Sequence, residues 1–256
     1  MANERLRRAI LDAGLSSHDV AMEVGTDAKT VERWINNGRI PHPRNRAGAA
    51  RVLGVDELVL WPELAEARAR AVARSEVLQV YPHRGAVPPA SWYELLSAAE
   101  EHIDVLVFAG LFLADGRADL PVLLQAKADE GVPIRLLLGD PGSDVVARRG
   151  AEEEVGDALA ARIRLSLAYL EPVLKVTGVE LRLHGTTLYN SIYRFDGDML
   201  VNTHTYGAQA AQSPVMHIRQ IAGGRLFPHY LESFEKVWEL ARPFAGARAE
   251  VAVVAN

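Results

Sequence analysis

Between Leu15 and Arg46 the chain reads LSSHDVAMEVGTDAKTVERWINNGRIPHPRNR, and this stretch leaves little freedom in how it can fold. Ser16 or Ser17 is placed to cap a short helix whose inward face carries Val20, Ala21 and Val24. Gly25 then falls where a helix has to stop and turn, a position that favours a residue tolerant of positive φ. Thr26 is a suitable cap for a second helix with Val31, Trp34 and Ile35 as its buried stripe. That stripe forces Lys29, Thr30, Glu32 and Arg33 outward. Behind the second helix comes a proline-stiffened loop, Arg39-Ile40-Pro41-His42-Pro43, and then more positive charge at Arg44 and Arg46.

Two short helices joined by a tight turn, with a polar and basic outer face on the second, form the layout of a helix-turn-helix that reads DNA. Residues Asn3 to about Pro62 resemble the small helical domain of the XRE (phage-repressor-like) regulators. The matching residues are Ala-Gly-Leu-Ser at 13–16, Asp19-Val20-Ala21, Val24-Gly25-Thr26, Thr30-Val31-Glu32-Arg33-Trp34 and Gly38-Arg39. The resemblance implies that the second helix enters the major groove, that dimers read paired half-sites, and that Trp34 is core rather than a base contact. Lys29, Thr30 and Arg33 are then the expected base-edge and adjacent contacts, with Arg39, Arg44 and Arg46 on phosphates.

Charge is distributed accordingly. The net charge of −5 argues against nucleic acid only while the chain is taken whole. Residues 1–70 hold 11 Lys/Arg against 10 Asp/Glu, while residues 71–256 hold 17 against 23. Within 27–51, Lys29, Arg33, Arg39, Arg44, Arg46 and Arg51 face only Asp27 and Glu32. Positive charge is thus concentrated where phosphate contacts would lie. The absence of cysteine excludes a disulfide framework and every Cys-ligated zinc or iron–sulfur site. MANERLRRAI lacks the apolar core of a signal peptide, and the longest apolar run, Val105 to Ala114, is too short to span a membrane. A soluble, cytoplasmic protein is expected.

The domain plan follows the change of period along the chain. A first helix from Asn3 to Asp12 places Leu6, Ile10 and Leu11 at helical spacing, and Pro43 begins a helix ended by Gly54. A short helix from Val55 to Leu60 and Trp61-Pro62 closes a helical domain over 1–62. Residues 63–75, rich in Ala, Glu and Arg and without glycine, read as a helical connector. From Glu76 strands and helices alternate. Strands are expected at 77–81, 103–109, 132–138, 179–184, 190–195, 199–203 and 215–221, and helices at 92–102 (capped by Ser91), 120–130, 152–174 and 226–240. This predicts a larger α/β domain over 76–243, a parallel or mixed sheet flanked by helices, with an Ala-rich tail over 244–256.

The late strands carry a second constellation. Tyr189-Asn190-Ser191, four residues, Asp196-Gly197, then Asn202-Thr203-His204-Thr205 is similar to the phospholipase D signature His-x-Lys-x4-Asp-Gly followed by Gly-Ser-x-Asn. The spacing and the Asp-Gly match. Tyr189 stands at the nucleophile position, Ser191 at the lysine position, and Asn202-Thr203 replaces Gly-Ser. In that superfamily the histidine attacks phosphorus and the lysines hold the phosphate. With neither present, the resemblance implies a degenerate, non-catalytic domain of that fold. An Asp-Gly between two strands is also an ordinary hairpin turn. His184, Tyr189, Ser191, Asp196, Asn202 and His204 are the expected lining of a pocket, to which Tyr193, Arg194 and Tyr206 lend polar-aromatic character suited to a small anionic or aromatic ligand. His184, His204 and His217 match no ligand signature, so no metal and no cofactor is expected. The expected whole is a DNA-binding transcriptional regulator, a homodimer assembled mainly through 76–243 with a sensing domain. The rival from the enzyme class is a DNA-targeted phosphodiesterase or nuclease; a third reading gives the larger domain only a protein partner.

Overall fold

The computed structural model describes residues 2–110 and 120–245, so the expected tail lies for residues 246–256 outside the described residues. The chain divides into two compact units, Met1–Val72 and Ala73–Asn256.

The first unit is all-helical: α1 (Glu4–Asp12), α2 (Ser17–Val24), α3 (Ala28–Asn36), α4 (Pro43–Leu53) and α5 (Glu57–Leu60), followed by the start of α6 (Glu63–Glu76). Ser16 caps α2 in a reciprocal box: its hydroxyl oxygen accepts the Asp19 N–H and the Asp19 carboxylate accepts the Ser16 N–H at 2.8 Å. Gly25 closes the helix at φ 76°, where a side chain would be strained. The cap of α3 is Asp27, not Thr26 as the sequence suggested. The Thr26 N–H is spent on the Ala21 carbonyl, so the turn takes one more residue. The Asp27 carboxylate then accepts both the backbone N–H and the hydroxyl of Thr30, each at 2.8 Å. Val20, Ala21, Val31, Trp34 and Ile35 pack with Leu6, Ile10, Leu53, Leu60 and Trp61. Leu11, expected inward, is 70% exposed, because Leu6 and Ile10 already define the buried side of α1 and the next residue lies a hundred degrees round the helix.

The second unit has an open eight-stranded mixed sheet. Its strands are β1 (Val77–Tyr81), β2 (Ile103–Leu106), β3 (Ile134–Gly139), β4 (Val179–His184), β5 (Asn190–Phe195), β6 (Asp198–Thr203), β7 (Val215–Arg219) and β8 (Arg242–Pro243). The spatial order is β1-β7-β6-β5-β2-β3-β4-β8; β2, β3 and β4 run parallel and the remaining pairs are antiparallel. Its helices are α7 (Pro89–Ala98), α8 (Leu120–Asp129), α9 (Asp144–Glu152), α10 (Ala158–Leu170) and α11 (Leu226–Leu240). An all-helical unit followed by a larger mixed α/β unit is the architecture expected from the sequence. Two helices differ from expectation. α7 begins at Pro89 rather than Trp92, because proline is favoured in a first turn that needs no N–H. The helix expected over 152–174 is shorter: α10 begins only at Ala158, after a turn in which Glu154 and Gly156 take positive φ, and ends at Leu170, while α9 precedes it where no helix was expected. That turn folds back so closely that a Cβ on Gly150 would meet the Gly156 carbonyl oxygen.

Alternation along the strands sorts side chains between two faces. One face carries Asp104, 1% exposed, beside Arg135 on β3 and Arg194 on β5. Its carboxylate accepts from Arg135 at 2.7 and 3.0 Å and from Arg194 at 2.9 Å. Arg135 also reaches Glu235 on α11 and lies 4.7 Å above the Phe234 ring. Burial opposes charge on Arg135, but the two carboxylates outweigh it and raise its pKa. At the start of α11 the buried Glu76 carboxylate accepts from the N–H groups of Arg225, Leu226 and Phe227 at 2.8–3.1 Å.

Asp196 has a comparable duty. At φ 52° it turns β5 into β6, and its carboxylate accepts the N–H groups of Glu100, Glu101 and His102 at 2.7–2.8 Å, tying down the loop before β2. Asp196→Ala leaves three donors to water and is expected to cost roughly 1–3 kcal/mol in urea unfolding. Asp196→Asn, which keeps an acceptor and tolerates the conformation, should cost less. Equal stability of all three proteins would show that the loop does not depend on this carboxylate.

Candidate functional site

In the helical unit the buried stripe of α3 turns Lys29, Glu32 and Arg33 to solvent, and Thr30 is half-buried. The Thr30 hydroxyl is already engaged, donating to the Asp27 carboxylate at 2.8 Å. Arg39 and Arg44 are exposed. Arg46 is a correction: its guanidinium is paired with Glu57 and donates to the Pro41 carbonyl at 3.1 Å, leaving the side chain 18% exposed. It braces α4 against α5 and the proline loop rather than standing ready for phosphate. Asn36, also on α3, accepts from Arg7 at 2.9 Å and is likewise committed.

In the α/β unit the residues expected to share a pocket are divided among several places. Ser191 and Tyr193 lie on the sheet face opposite Asp104, since alternation along β5 sends Arg194 the other way. Ser191 Oγ is 3.0 Å from His204 Nε2, and His204 Nδ1 is 3.2 Å from the Leu188 carbonyl oxygen. A carbonyl only accepts, so Nδ1 carries the proton and Nε2 accepts from the serine hydroxyl. The Tyr193 hydroxyl joins the same chain through Ser191 and Arg84. Burial, aided by the charges of Arg149 and Arg84, lowers the His204 pKa to about 4, and burial pushes Tyr193 up to about 12.

This polar chain borders a cavity of about 310 Å³, to which Arg162, Gln209, Glu153 and Phe108 also contribute. A second cavity of about 370 Å³ lies between the same sheet face and helices α7, α8 and α10, and is lined largely by apolar side chains. Of these residues Arg84, Arg162, Glu153 and Gln209 escaped the sequence reading. Arg84 lies between β1 and α7, where no motif points to it, and Arg162 lies on the exposed side of α10.

The other expected pocket residues are elsewhere. Tyr189 is 79% exposed and Tyr206 82%, because both stand outside the ends of β5 and β6. Asp196 is at the far end of β5 from Ser191 and holds backbone. His184 is buried and donates from Nε2 to the Val107 carbonyl at 3.0 Å; its ring and that of His204 both lie within 6 Å of Phe108. Asn202 is fully buried and donates to the Ser213 and Pro214 carbonyls, while its Oδ1 has no partner among the described residues. His217 pairs with Asp198 at 2.7 Å. Among the described residues no three His, Asp or Glu side chains come together as a metal ion requires. None of the described helices is long and apolar enough to cross a membrane.

No family model matches the chain, and no curated protein sequence is significantly similar to it. Among the solved structures that align with parts of the chain are two of known description. TrmBL2, an archaeal chromatin protein described as showing a novel mode of DNA binding, aligns over 72% of this chain and 60% of its own, with 17% identity and a TM-score of 0.43. Nuc from Salmonella typhimurium, a phospholipase D family member, aligns over 65% of this chain and 96% of its own, with 15% identity and a TM-score of 0.40. The chain therefore spans less than two thirds of the length of the archaeal protein. Likeness at this level leaves function to be argued from the residues.

His204 gives the site a measurable signature. Its folded pKa of about 4 is below the unfolded 6.5, so between these values the unfolded chain binds more protons and stability falls as pH is lowered. Between pH 7 and 4.5 this group should remove about 2 kcal/mol, on the scale of 1.36 kcal/mol per pKa unit. His204→Gln should lose that part of the acid sensitivity in paired urea titrations. An unchanged pH profile would mean that His204 is solvated and not held neutral.

Proposed function

We propose that the chain is a sequence-specific DNA-binding transcriptional regulator that works as a homodimer, with the helical unit reading DNA and the α/β unit serving for sensing and dimerisation. The observation that carries this reading is the construction of α3. Val31, Trp34 and Ile35 lock it into the core while Lys29 and Arg33 are exposed on its outer side, with Arg39 and Arg44 exposed in the segment that follows. A recognition helix needs this combination of rigid placement and exposed forked donors. Arg46 drops out of the proposed phosphate contacts because Glu57 already satisfies it.

Homodimerisation is inferred from two considerations. One helix-turn-helix offers few base contacts, so useful specificity ordinarily takes two units on a two-fold site. The sheet also ends at β1, a strand without charge in which Leu78 and Val80 are 43% and 54% exposed. Isolated proteins usually guard such edges with charge or proline, and a second copy aligned antiparallel would cover this one. The α/β unit is proposed to be non-catalytic. At the phospholipase-like positions Tyr189 is out in solvent and Ser191 is bonded to a neutral imidazole, so neither the nucleophile nor the phosphate-holding lysine of that signature is present there.

The test is retention of a duplex enriched from random DNA by the full chain. Arg33→Ala should relax sequence choice, each good base contact being worth roughly 1–3 kcal/mol of discrimination. Arg44→Ala should weaken binding to all sequences alike and reduce the slope of log K against log salt by about 1. The DNA should be recovered uncut. If neither variant alters retention, α3 and the loop after it are not the reading surface; if the DNA is cleaved, the non-catalytic reading fails.

A further inference from the structure

The two cavities of the α/β unit are not independent. They share the walls formed by Arg84, Val107, Ala109, Gly110 and Ala211, so an apolar chamber opens beside a polar one. The apolar chamber takes Val105, Leu136 and Phe195 from the sheet and Leu96, Leu124 and Tyr169 from the helices. The polar chamber contains two cations, Arg84 and Arg162, against one anion, Glu153. Glu153 is already neutralised: its carboxylate accepts from Arg149 Nε at 2.8 Å, with both side chains less than a tenth exposed. Arg84 holds the Tyr193 hydroxyl. Arg162, exposed at the rim, makes no ion pair among the described residues. The surplus at the junction is therefore positive, with a single guanidinium fork open to a partner.

We propose that this site binds an apolar carboxylate, a molecule with one anionic head and an aliphatic or aromatic body. Arg162 grips the head at the polar chamber, with Arg84, Ser191 and Gln209 beside it, and the body fills the apolar chamber. A carboxylate matches one planar fork, since two parallel N–H···O bonds satisfy both partners. A sugar or other polar body would give up its water to a chamber lined by leucine, valine and aromatic rings, and gain little in return. Cavities of this size are typical of small-molecule sites, and apolar lining with a few converging polar groups is their usual composition. Burial does most to hold His204 neutral, and the Arg149 and Arg84 charges add to it. A neutral His204 also keeps the Ser191 hydroxyl fixed toward Nε2.

This inference rests on the reading of the α/β unit as a sensing domain, and its test uses the full chain without DNA. Failure here leaves the DNA-reading assignment standing, and failure of DNA binding leaves this result standing. Calorimetric titration with decanoate is compared with decanol, which lacks the charge, and with acetate, which lacks the body. Decanoate should bind roughly tenfold more tightly than decanol, and acetate should not bind. Arg162→Gln, at an exposed rim position that leaves the fold intact, should erase the preference for decanoate while decanol affinity stays the same. Leu136→Trp should lose both ligands by filling the chamber, with a melting curve confirming that the variant is folded. Equal affinity for decanoate and decanol, or an Arg162→Gln variant that keeps the preference, would remove the proposed head site. Binding of acetate as strong as decanoate would show a simple anion site. No binding of saturated carboxylates from hexanoate to dodecanoate, nor of 1-naphthoate, would overturn the proposal.

Discussion

A single buried carboxylate orders the larger unit. Asp104 lies on a central strand between two others, and an unpaired charge there would be very costly. The parallel neighbour β3 supplies Arg135 and the antiparallel neighbour β5 supplies Arg194, each directly opposite in register. Slipping either strand by one residue would send its arginine to the wrong face and strand the carboxylate. The pair also selects which face α11 covers, since Arg135 goes on to Glu235 and the Phe234 ring. With those charges committed to one face, the intervening residues of β2, β3 and β5 are left to the other. That face carries Ser191, Tyr193 and the two cavities.

How much of this was legible in the sequence depends on whether the signal was local. The helical unit was almost wholly readable, because caps, glycine turn and apolar stripe act within a few residues. The shift of the cap from Thr26 to Asp27 is a one-residue error that only the use of the Thr26 N–H resolves. Arg46 shows the limit of charge counting: a cation eleven residues from its acidic partner looks free until the fold brings Glu57 to it. The strands are legible in their β-rich runs, whereas the turn that separates α9 from α10 depends on positive φ at Glu154, a residue with no special claim to it.

The ligand site was harder. The motif spacing groups Tyr189, Ser191 and Asp196, yet a strand is rigid and its two ends cannot serve one small pocket. Asp196 holds the loop before β2, and Tyr189 lies in solvent. Ser191 and His204 do meet, through cross-strand geometry implicit in the β5–β6 hairpin. Arg84 and Arg162 come from separate segments, 78 residues apart, with Arg84 107 residues from Ser191, and no spacing rule joins them. Long-range convergence of that kind is a property of the sheet and its helices, not of any short stretch.

In the proposed regulator the helical unit reads DNA and the α/β unit responds, the chain passing from one to the other through α6. The central proposal is that two copies of α3 read one DNA site. The most direct measurement is selection of duplexes from a random pool by the full chain, followed by the mass of the complex on the enriched sequence. Two chains on an inverted repeat, with half-site centres about 10 base pairs apart or a multiple of that, are predicted. A single chain on an asymmetric site, or a pool that never converges, would contradict it.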